Sequence, residues 1–285
     1  MTERSLTLPA PAKLNLMLHI TGRRDDGYHN LQTIFQLLDF GDEITLVPLS
    51  NHAVQLDDTS MDIPLEDNLI YRAAMLLKAS TGYSGGARIA ITKHLPMGAG
   101  LGGGSSNAAS TLVGLNELWQ TRLSLAELAN LGQSLGADVP VFVQGCSAWA
   151  EGIGEALTKV ELPDRYYCVI TPNCHVSTKE IFCHEELTRN TSPITIAAAL
   201  GYGGKNDCEE LVKRLYPEVK HVLEWLSQFA NARLTGTGSS VFAGFHTRQE
   251  AQTALEQLPQ QWRGFVARGV NVSPLHQVAK ISTTL

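Results

Sequence analysis

Residues 96–106 read PMGAGLGGGSS, with five glycines in the seven positions 98–104. No other residue type loses more conformational freedom on folding than glycine, so such a run implies a need for bare backbone. The residues that follow, SSNAASTLVGLNELW, have the pattern of a helix with small residues in its first turn. A bare loop feeding a helix N-terminus aims free amides and the positive end of the helix dipole at one point. That arrangement binds an anion. Ser105 and Ser106 sit where a hydroxyl caps the helix or touches phosphate or magnesium. The plainer alternative is a glycine-rich surface loop that binds nothing, but it gives no reason for glycines to abut a well-formed helix start. Two familiar phosphate loops fail. A P-loop, G-x-x-x-x-G-K-[ST], needs a lysine after its glycines, and none follows. A dinucleotide fingerprint, G-x-G-x-x-G, matches Gly98, Gly100 and Gly103 by letter. However, KHLPM separates them from the preceding strand pattern, and two helices follow where a helix and an acid-ended strand belong.

Around this run the chain reads as mixed α and β. Lys13–Ile20 alternates, with Leu14, Leu16, Leu18 and Ile20 on one face and Lys13, Asn15, Met17 and His19 on the other. Turn residues GRRDDGYHN follow, then apolar runs at 31–38 and 44–47. Asp67 is expected to cap a helix through about Lys78, with a stripe of Leu69, Ala73, Leu76 and Leu77. ARIAIT at 87–92 alternates again. SLAELANLGQSLG opens with a capping box, Ser124 and Glu127, and is expected to end at Gly136. ELPDR near 160–165 marks a boundary, giving expected units of 1–162 and 163–285. The second unit reads as a strand at 167–171, helices within 177–230, the stretch LTGTGSSVFAGF, a helix near 248–257 and a strand at 265–267. That is a smaller α+β domain.

The chain of 285 residues is 44% hydrophobic and 18% charged, enough to bury a full core. Its formal net charge of -6 argues against nucleic acid and anionic membrane surfaces as partners. No apolar run approaches the ~18–20 residues of a membrane span. MTERSLTLPAPAKLNL lacks the pattern of a signal peptide, so the cytoplasm is the expected location. The cysteines are Cys146, Cys168, Cys174, Cys183 and Cys208, with no zinc-like spacing. Free thiols are expected, in preference to a metal site at Cys174-His175 or Cys183-His184.

Taken together, the motifs carry a family resemblance. P-M-G-A-G-L-G-G-G-S-S-N-A-A resembles the P-x-x-x-G-L-G-S-S-A motif of the galactokinase, homoserine kinase, mevalonate kinase and phosphomevalonate kinase superfamily. It departs from that motif by extra glycine before the serines. PAKLNLMLHITGRRDDGYHNLQT, LGADVPVFVQG and ARLTGTGSSVFAGF resemble further motifs of the superfamily in their proper order, from about Pro9 to about Pro274. The DGYH element is similar to the branch whose substrate is a cytidyl alcohol. The resemblance implies an α+β, two-domain small-molecule kinase with its active site between the domains. Residues 1–162 would bind ATP, and 163–285 would form a ferredoxin-like C-terminal domain. The implied reaction moves the ATP γ-phosphate to the 2-hydroxyl of cytidyl-methylerythritol diphosphate, in the non-mevalonate route to isoprenoid precursors. A second possibility is another alcohol kinase of the same superfamily. The protein is expected to be a monomer or weak homodimer.

The resemblance also assigns roles. Asp138 alone reads equally as an N-cap or turn residue, but it fills the slot of the family's catalytic aspartate, a general base. Lys13 alone reads as a snorkelling lysine; in the family it lies against that aspartate, keeping it ionised and orienting the acceptor. Asn15, on the same face, is a substrate candidate. Tyr28 would stack on cytosine and His29 would read its edge. Thr178 and Phe182 match positions lining the substrate pocket. Pro96, Met97, Gly98, Ala99, Gly100, Leu101, Gly102, Gly103, Gly104, Ser105 and Ser106 would hold ATP, with Asn68 and Lys93 on the adenine side. His19 is expected to be satisfied by a local hydrogen bond. Mg²⁺ is expected from the chemistry, with no ligands assigned.

Overall fold

The computed structural model describes residues 5–57 and 63–279. Two long antiparallel strands, β1 (Leu6–Arg23) and β2 (His29–Leu49), form its spine. The two apolar runs expected at 31–38 and 44–47 are therefore one continuous strand. β3 (Val54–Asp57) lies parallel to β4 (Gly86–Thr92), which pairs antiparallel with the far half of β2. Between β3 and β4 runs helix α1 (Leu69–Thr81). Its N-cap is Asn68, whose side chain accepts from the Ile70 amide at 2.9 Å. Asp67 instead ends a single 3₁₀ turn, and the buried stripe is Ile70, Ala73, Ala74 and Leu77.

Three helices follow: α2 (Gly103–Leu118), α3 (Leu125–Gln133) and α4 (Val139–Gln144). The small residues of α2 have a packing reason. A Cβ on Gly114 would lie 2.4 Å from Leu46 and 2.6 Å from Leu8, so the helix rests directly on β1 and β2. Leu8, Leu46 and Leu112 are fully buried there, each contributing about 1.5–3 kcal/mol. The capping box of Ser124 and Glu127 opens α3 as the sequence predicts. The helix ends earlier than expected, at Gln133 with Ser134 as C-cap, because Gly136 does not adopt the left-handed conformation of a glycine cap. The hairpin β5 (Ala148–Glu151) and β6 (Ala156–Lys159) pairs with β2 at Thr33–Phe35.

The second half contains β7 (Tyr166–Thr171), α5 (Thr178–Cys183), α6 (Ile196–Tyr202), α7 (Glu209–Leu215), α8 (Pro217–Leu226), β8 (Ala232–Leu234), β9 (Val241–Phe245), α9 (Arg248–Glu256), β10 (Arg263–Val270) and α10 (Pro274–Ala279). Its sheet has the order β10-β7-β9-β8, antiparallel throughout. This is the split, ferredoxin-like arrangement. β10 also pairs with β2 through Gly269 and Val270, so the two halves share one sheet path. One core gathers β1, β2 and β4 with α1–α4, and a second gathers the helices against β7–β9. Leu18 and Ile20 of β1 belong to the second core, and Leu275 of α10 returns to the first.

His276 of α10 is buried against Gly145, with Nε2 donating to the Val143 carbonyl at 2.8 Å. Its Nδ1 has no partner, and burial holds its pKa below the ordinary 6.5. The folded state therefore keeps this ring neutral, and protonation favours unfolding. Its contribution to stability is complete above pH 6.5 and is lost as pH falls toward the folded value. The thermal midpoint is expected to fall between about pH 7.5 and 5.5, and less steeply in His276→Gln. Identical slopes in both proteins, measured by circular dichroism, would remove His276 from this role.

Candidate active site

Two irregularities in β1 build the site. The first is a register shift between Pro11 and Lys13. Proline has no amide to offer the ladder, and the Lys13 amide turns out of it to donate to the Leu101 carbonyl at 3.0 Å. The glycine loop is thereby tied to the strand that carries the lysine. The second shift lies between Asn15 and Leu18 and corrects the simple alternation of faces. Lys13, Asn15 and Leu18 share one cavity, whereas Met17 packs against Ile34 and Trp149. His19 also leaves that face. It is buried, and its Nε2 accepts from the Lys205 amide at 3.3 Å, a partner far away in sequence. Burial, more than the opposing Asp207 charge, lowers its pKa.

The glycine loop alternates in hand: Gly98, Gly100 and Gly102 all have positive φ, the last at 73° as the N-cap of α2. Its carbonyls are taken by distant donors. The Ser240 amide donates to Ala99 at 3.1 Å, the Thr235 hydroxyl to Gly100 at 3.4 Å, and Lys13 to Leu101. The expectation that Ser105 or Ser106 caps α2 is corrected, since the helix starts at Gly103 with no side-chain cap. The first-turn amides of a helix have no intrahelical partner, so this uncapped start is free to receive an anion. Ser105 lines the cavities on both sides of the loop. Ser106 does not, being fully buried with its hydroxyl unpartnered.

On one side of the loop is a cavity of about 410 Å³, lined by Asn68, Lys93 and residues 96–105. Lys93 is paired with buried Asp42, which also accepts from the amides of His94 at 2.7 Å and Leu95 at 2.9 Å. Asp42 thus fixes the junction between β4 and the loop. On the other side is a cavity of about 460 Å³, lined by Lys13, Asn15, Tyr28, His29, Asp138, Thr178 and Phe182. Gly98, Gly100, Gly102 and Ser105 belong to both cavities, so the loop is their common wall.

In the second cavity Lys13 is 4% exposed, with its ammonium 3.2 Å from the Asp138 carboxylate and 5.5 Å from the centre of the Phe35 ring. Asp138 occupies the N-cap position of α4 without capping it, which leaves the carboxylate for Lys13 and for whatever enters the cavity. Asn15 accepts from Lys13 and donates to Thr33, so both ends of its amide are engaged within the protein. It supports the lysine and also lines the cavity where the sequence suggests a substrate contact.

Tyr28 is 61% exposed at the cavity mouth and His29 is buried behind it. The Phe182 ring lies 5.3 Å from His29. Arg189 donates to His29 Nε2 at 3.0 Å and to the carbonyls of Phe182 and His184, tying this wall together. Burial first, then the charges of Arg189 and Arg23, pushes the His29 pKa down. Gly236 and Thr237 close the cavity from the β8–β9 loop, and the Thr237 hydroxyl lies 2.9 Å from that of Thr178. This stretch is a motif of the sequence, but nothing in its local pattern marks Gly236 or Thr237 as site residues. Asp42, Thr33 and Arg189 were also missed, because nothing local distinguishes them.

Among the described residues no group of three or more His, Cys, Asp or Glu side chains stands where it could hold a metal. The five cysteines are all free thiols. The site offers oxygen donors of the kind magnesium takes, the Asp138 carboxylate and the Ser105 hydroxyl, but no closed cage. Such a donor set suits an ion carried mainly by phosphate oxygens.

This fold and this site are those of a known class of phosphotransferase. The family described as GHMP kinases N terminal domain matches residues 68–146, and GHMP kinases C terminal matches residues 185–264. The chain belongs to the GHMP kinases. A homoserine kinase structure from Cytophaga hutchinsonii shares the fold, with a TM-score of 0.64 at 18% identity over 96% of this chain and 97% of that one. A crystal structure of 4-(cytidine 5'-diphospho)-2C-methyl-D-erythritol kinase aligns with a TM-score of 0.81 and 33% identity, over 93% of this chain and all of that one. Relatives from Nitrosococcus oceani and Haemophilus ducreyi, both named 4-diphosphocytidyl-2-C-methyl-D-erythritol kinase, are 53% and 54% identical over 270 and 273 residues. Each alignment covers 95% of this chain, and 96% and 97% of the respective relative. Within the GHMP kinases, the chain belongs to the 4-diphosphocytidyl-2-C-methyl-D-erythritol kinase family.

Proposed function

We propose that the protein transfers the γ-phosphate of ATP to the 2-hydroxyl of 4-diphosphocytidyl-2-C-methyl-D-erythritol, a step toward isoprenoid precursors. The observation that carries this reading is the shared wall: one loop of bare amides faces two cavities, and only one of them contains the Lys13–Asp138 pair. ATP is assigned to the cavity of Asn68 and Lys93, with its phosphates at the start of α2. The acceptor alcohol is assigned to the cavity of Tyr28, His29 and Phe182. A division at 162/163 fits the two cores, with β1 and α10 bridging them.

Phosphoryl transfer depends chiefly on positioning and on charge stabilisation. Asp138 accepts the hydroxyl proton as the acceptor oxygen bonds to phosphorus and ADP departs. Lys13, 3.2 Å from that carboxylate, holds it in place and orients the hydroxyl. The α2 amides stabilise the charge on the phosphoryl oxygens. Ser105 and Asp138 are the residues that would help hold magnesium, which when bound would supply neutralisation of part of that charge.

Tyr28 and Phe182 offer aromatic faces for the cytosine. Tyr28→Ala is expected to raise KM for the cytidyl substrate by roughly 5–150-fold, from ~1–3 kcal/mol of lost stacking. KM for ATP should stay within about twofold, since Tyr28 does not line the other cavity. An unchanged KM for the cytidyl substrate would place its base elsewhere. The activity itself is tested by ADP release with the cytidyl alcohol, homoserine and mevalonate as separate acceptors. Turnover of homoserine or mevalonate without the cytidyl alcohol would transfer the protein to another branch of the GHMP kinases.

A further inference from the structure

We propose that Thr33 is a positioning residue, whose hydroxyl sets the orientation of the Asn15 amide and through it the place of the Lys13 ammonium. The inference rests on the proposed role of Lys13 at the acceptor site.

The register shift between Asn15 and Leu18 leaves the Met17 carbonyl outside the β1–β2 ladder. Thr33, buried on β2, donates its only hydroxyl proton to that carbonyl at 2.5 Å. A hydroxyl whose proton is spent can only accept from its next neighbour. The Asn15 atom 2.9 Å away must therefore be the Nδ2 amino group. That choice turns Oδ1 toward Lys13, where it accepts from the ammonium. The main chain of Asn15 is also held, its amide donating to the Thr235 hydroxyl at 2.9 Å. With one Lys13 proton directed to Asn15 and another to Asp138 at 3.2 Å, the remaining proton is left for the acceptor side.

Without the Thr33 hydroxyl, the Asn15 Nδ2 loses its buried acceptor and the amide is held only at Oδ1, by Lys13. An amide anchored at one end is free to tilt, and the Lys13 ammonium would shift with it from its place beside Asp138. The consequence is specific. The acceptor geometry fails while the nucleotide cavity, which contains neither Thr33 nor Asn15, is untouched.

The test compares Thr33→Val, Thr33→Ser and Asn15→Ala in the full chain, with ADP release as the rate, ATP binding by calorimetry and folding by circular dichroism. Thr33→Val is expected to lower kcat by roughly 10–100-fold, with ATP affinity within about twofold of the parent. Thr33→Ser, which keeps the hydroxyl, should restore kcat to near the parent value. The double variant Thr33→Val with Asn15→Ala should be no slower than Asn15→Ala alone, because both act through one amide. Parent-like kcat in Thr33→Val, equal losses in Thr33→Val and Thr33→Ser, or multiplying losses in the double variant would each overturn the proposal. If Thr33→Val does not fold, Thr33→Ala is read in the same way. Lys13→Met, run in parallel, separates the two levels. An active Lys13→Met defeats the role of Lys13 itself, whereas an inactive Lys13→Met beside a fully active Thr33→Val defeats only the role of Thr33.

Discussion

Asp138→Asn is expected to lower kcat by roughly 10²–10⁴-fold, the usual contribution of a positioned general base. Asparagine keeps the size of the side chain and still accepts a hydrogen bond from Lys13, so the fold should survive. What disappears is the carboxylate proposed to take the acceptor proton. ATP affinity should hardly change, because Asp138 lines the acceptor cavity and not the nucleotide cavity. Rapid-quench turnover with saturating substrates, together with calorimetry for ATP, checks both halves. A loss smaller than about tenfold would take Asp138 out of the proton-accepting role.

Gly100→Ala is the second large effect, and it acts on the donor side. Gly100 has φ of 79°, which costs an alanine about 1–2 kcal/mol. A Cβ there would lie 2.4 Å from the Thr235 carbonyl and 3.0 Å from that of Gly238, both main-chain atoms that no rotamer change can move. Relief requires the glycine loop to part from the β8–β9 loop, undoing the hydrogen bonds from Ser240 and Thr235 that fix the loop carbonyls. ATP affinity should fall by roughly 10–100-fold, with a lower thermal midpoint. Gly82→Ala is the control. It has the same hand, φ 67°, but nothing lies within 4 Å of its added Cβ. It should lower the thermal midpoint modestly and leave ATP affinity alone. Unchanged ATP affinity in Gly100→Ala would show that the phosphates do not depend on this loop.

Some of this was legible in the sequence because it is written in local order. The glycine run, the alternation of β4, the capping box of Ser124 and the order of elements after residue 166 depend on neighbours along the chain. The two faces of β1 were read only in part, because the shifts after Pro11 and Asn15 are set by what crosses the strand. The Leu101 carbonyl takes the Lys13 amide, and the segment 205–207 bonds to Leu18 and Ile20. The cap of α1 was misplaced by one residue because Asp67 and Asn68 are both good caps, and the 3₁₀ turn that consumes Asp67 has no signature of its own. Asn15 illustrates the limit most sharply. Its place on the polar face puts it in the acceptor cavity, but its bonds to a hydroxyl on β2 and to the ammonium two residues away are not written in local order. Arg189 and Asp42 were invisible for a related reason. Each joins segments far apart in sequence, and an isolated arginine or aspartate carries no mark of its partner.

In the proposed mechanism one loop serves a nucleotide on one face and a cytidyl alcohol beside Lys13 and Asp138 on the other. Phosphorus NMR of the protein incubated with ATP, magnesium and 4-diphosphocytidyl-2-C-methyl-D-erythritol tests it most directly. The account predicts ADP together with a new phosphomonoester resonance on the substrate, coupled to the methyl-bearing C2 of the erythritol, with the cytidyl diphosphate resonances intact. Consumption of ATP with no such resonance, or a phosphomonoester on another hydroxyl, would contradict it.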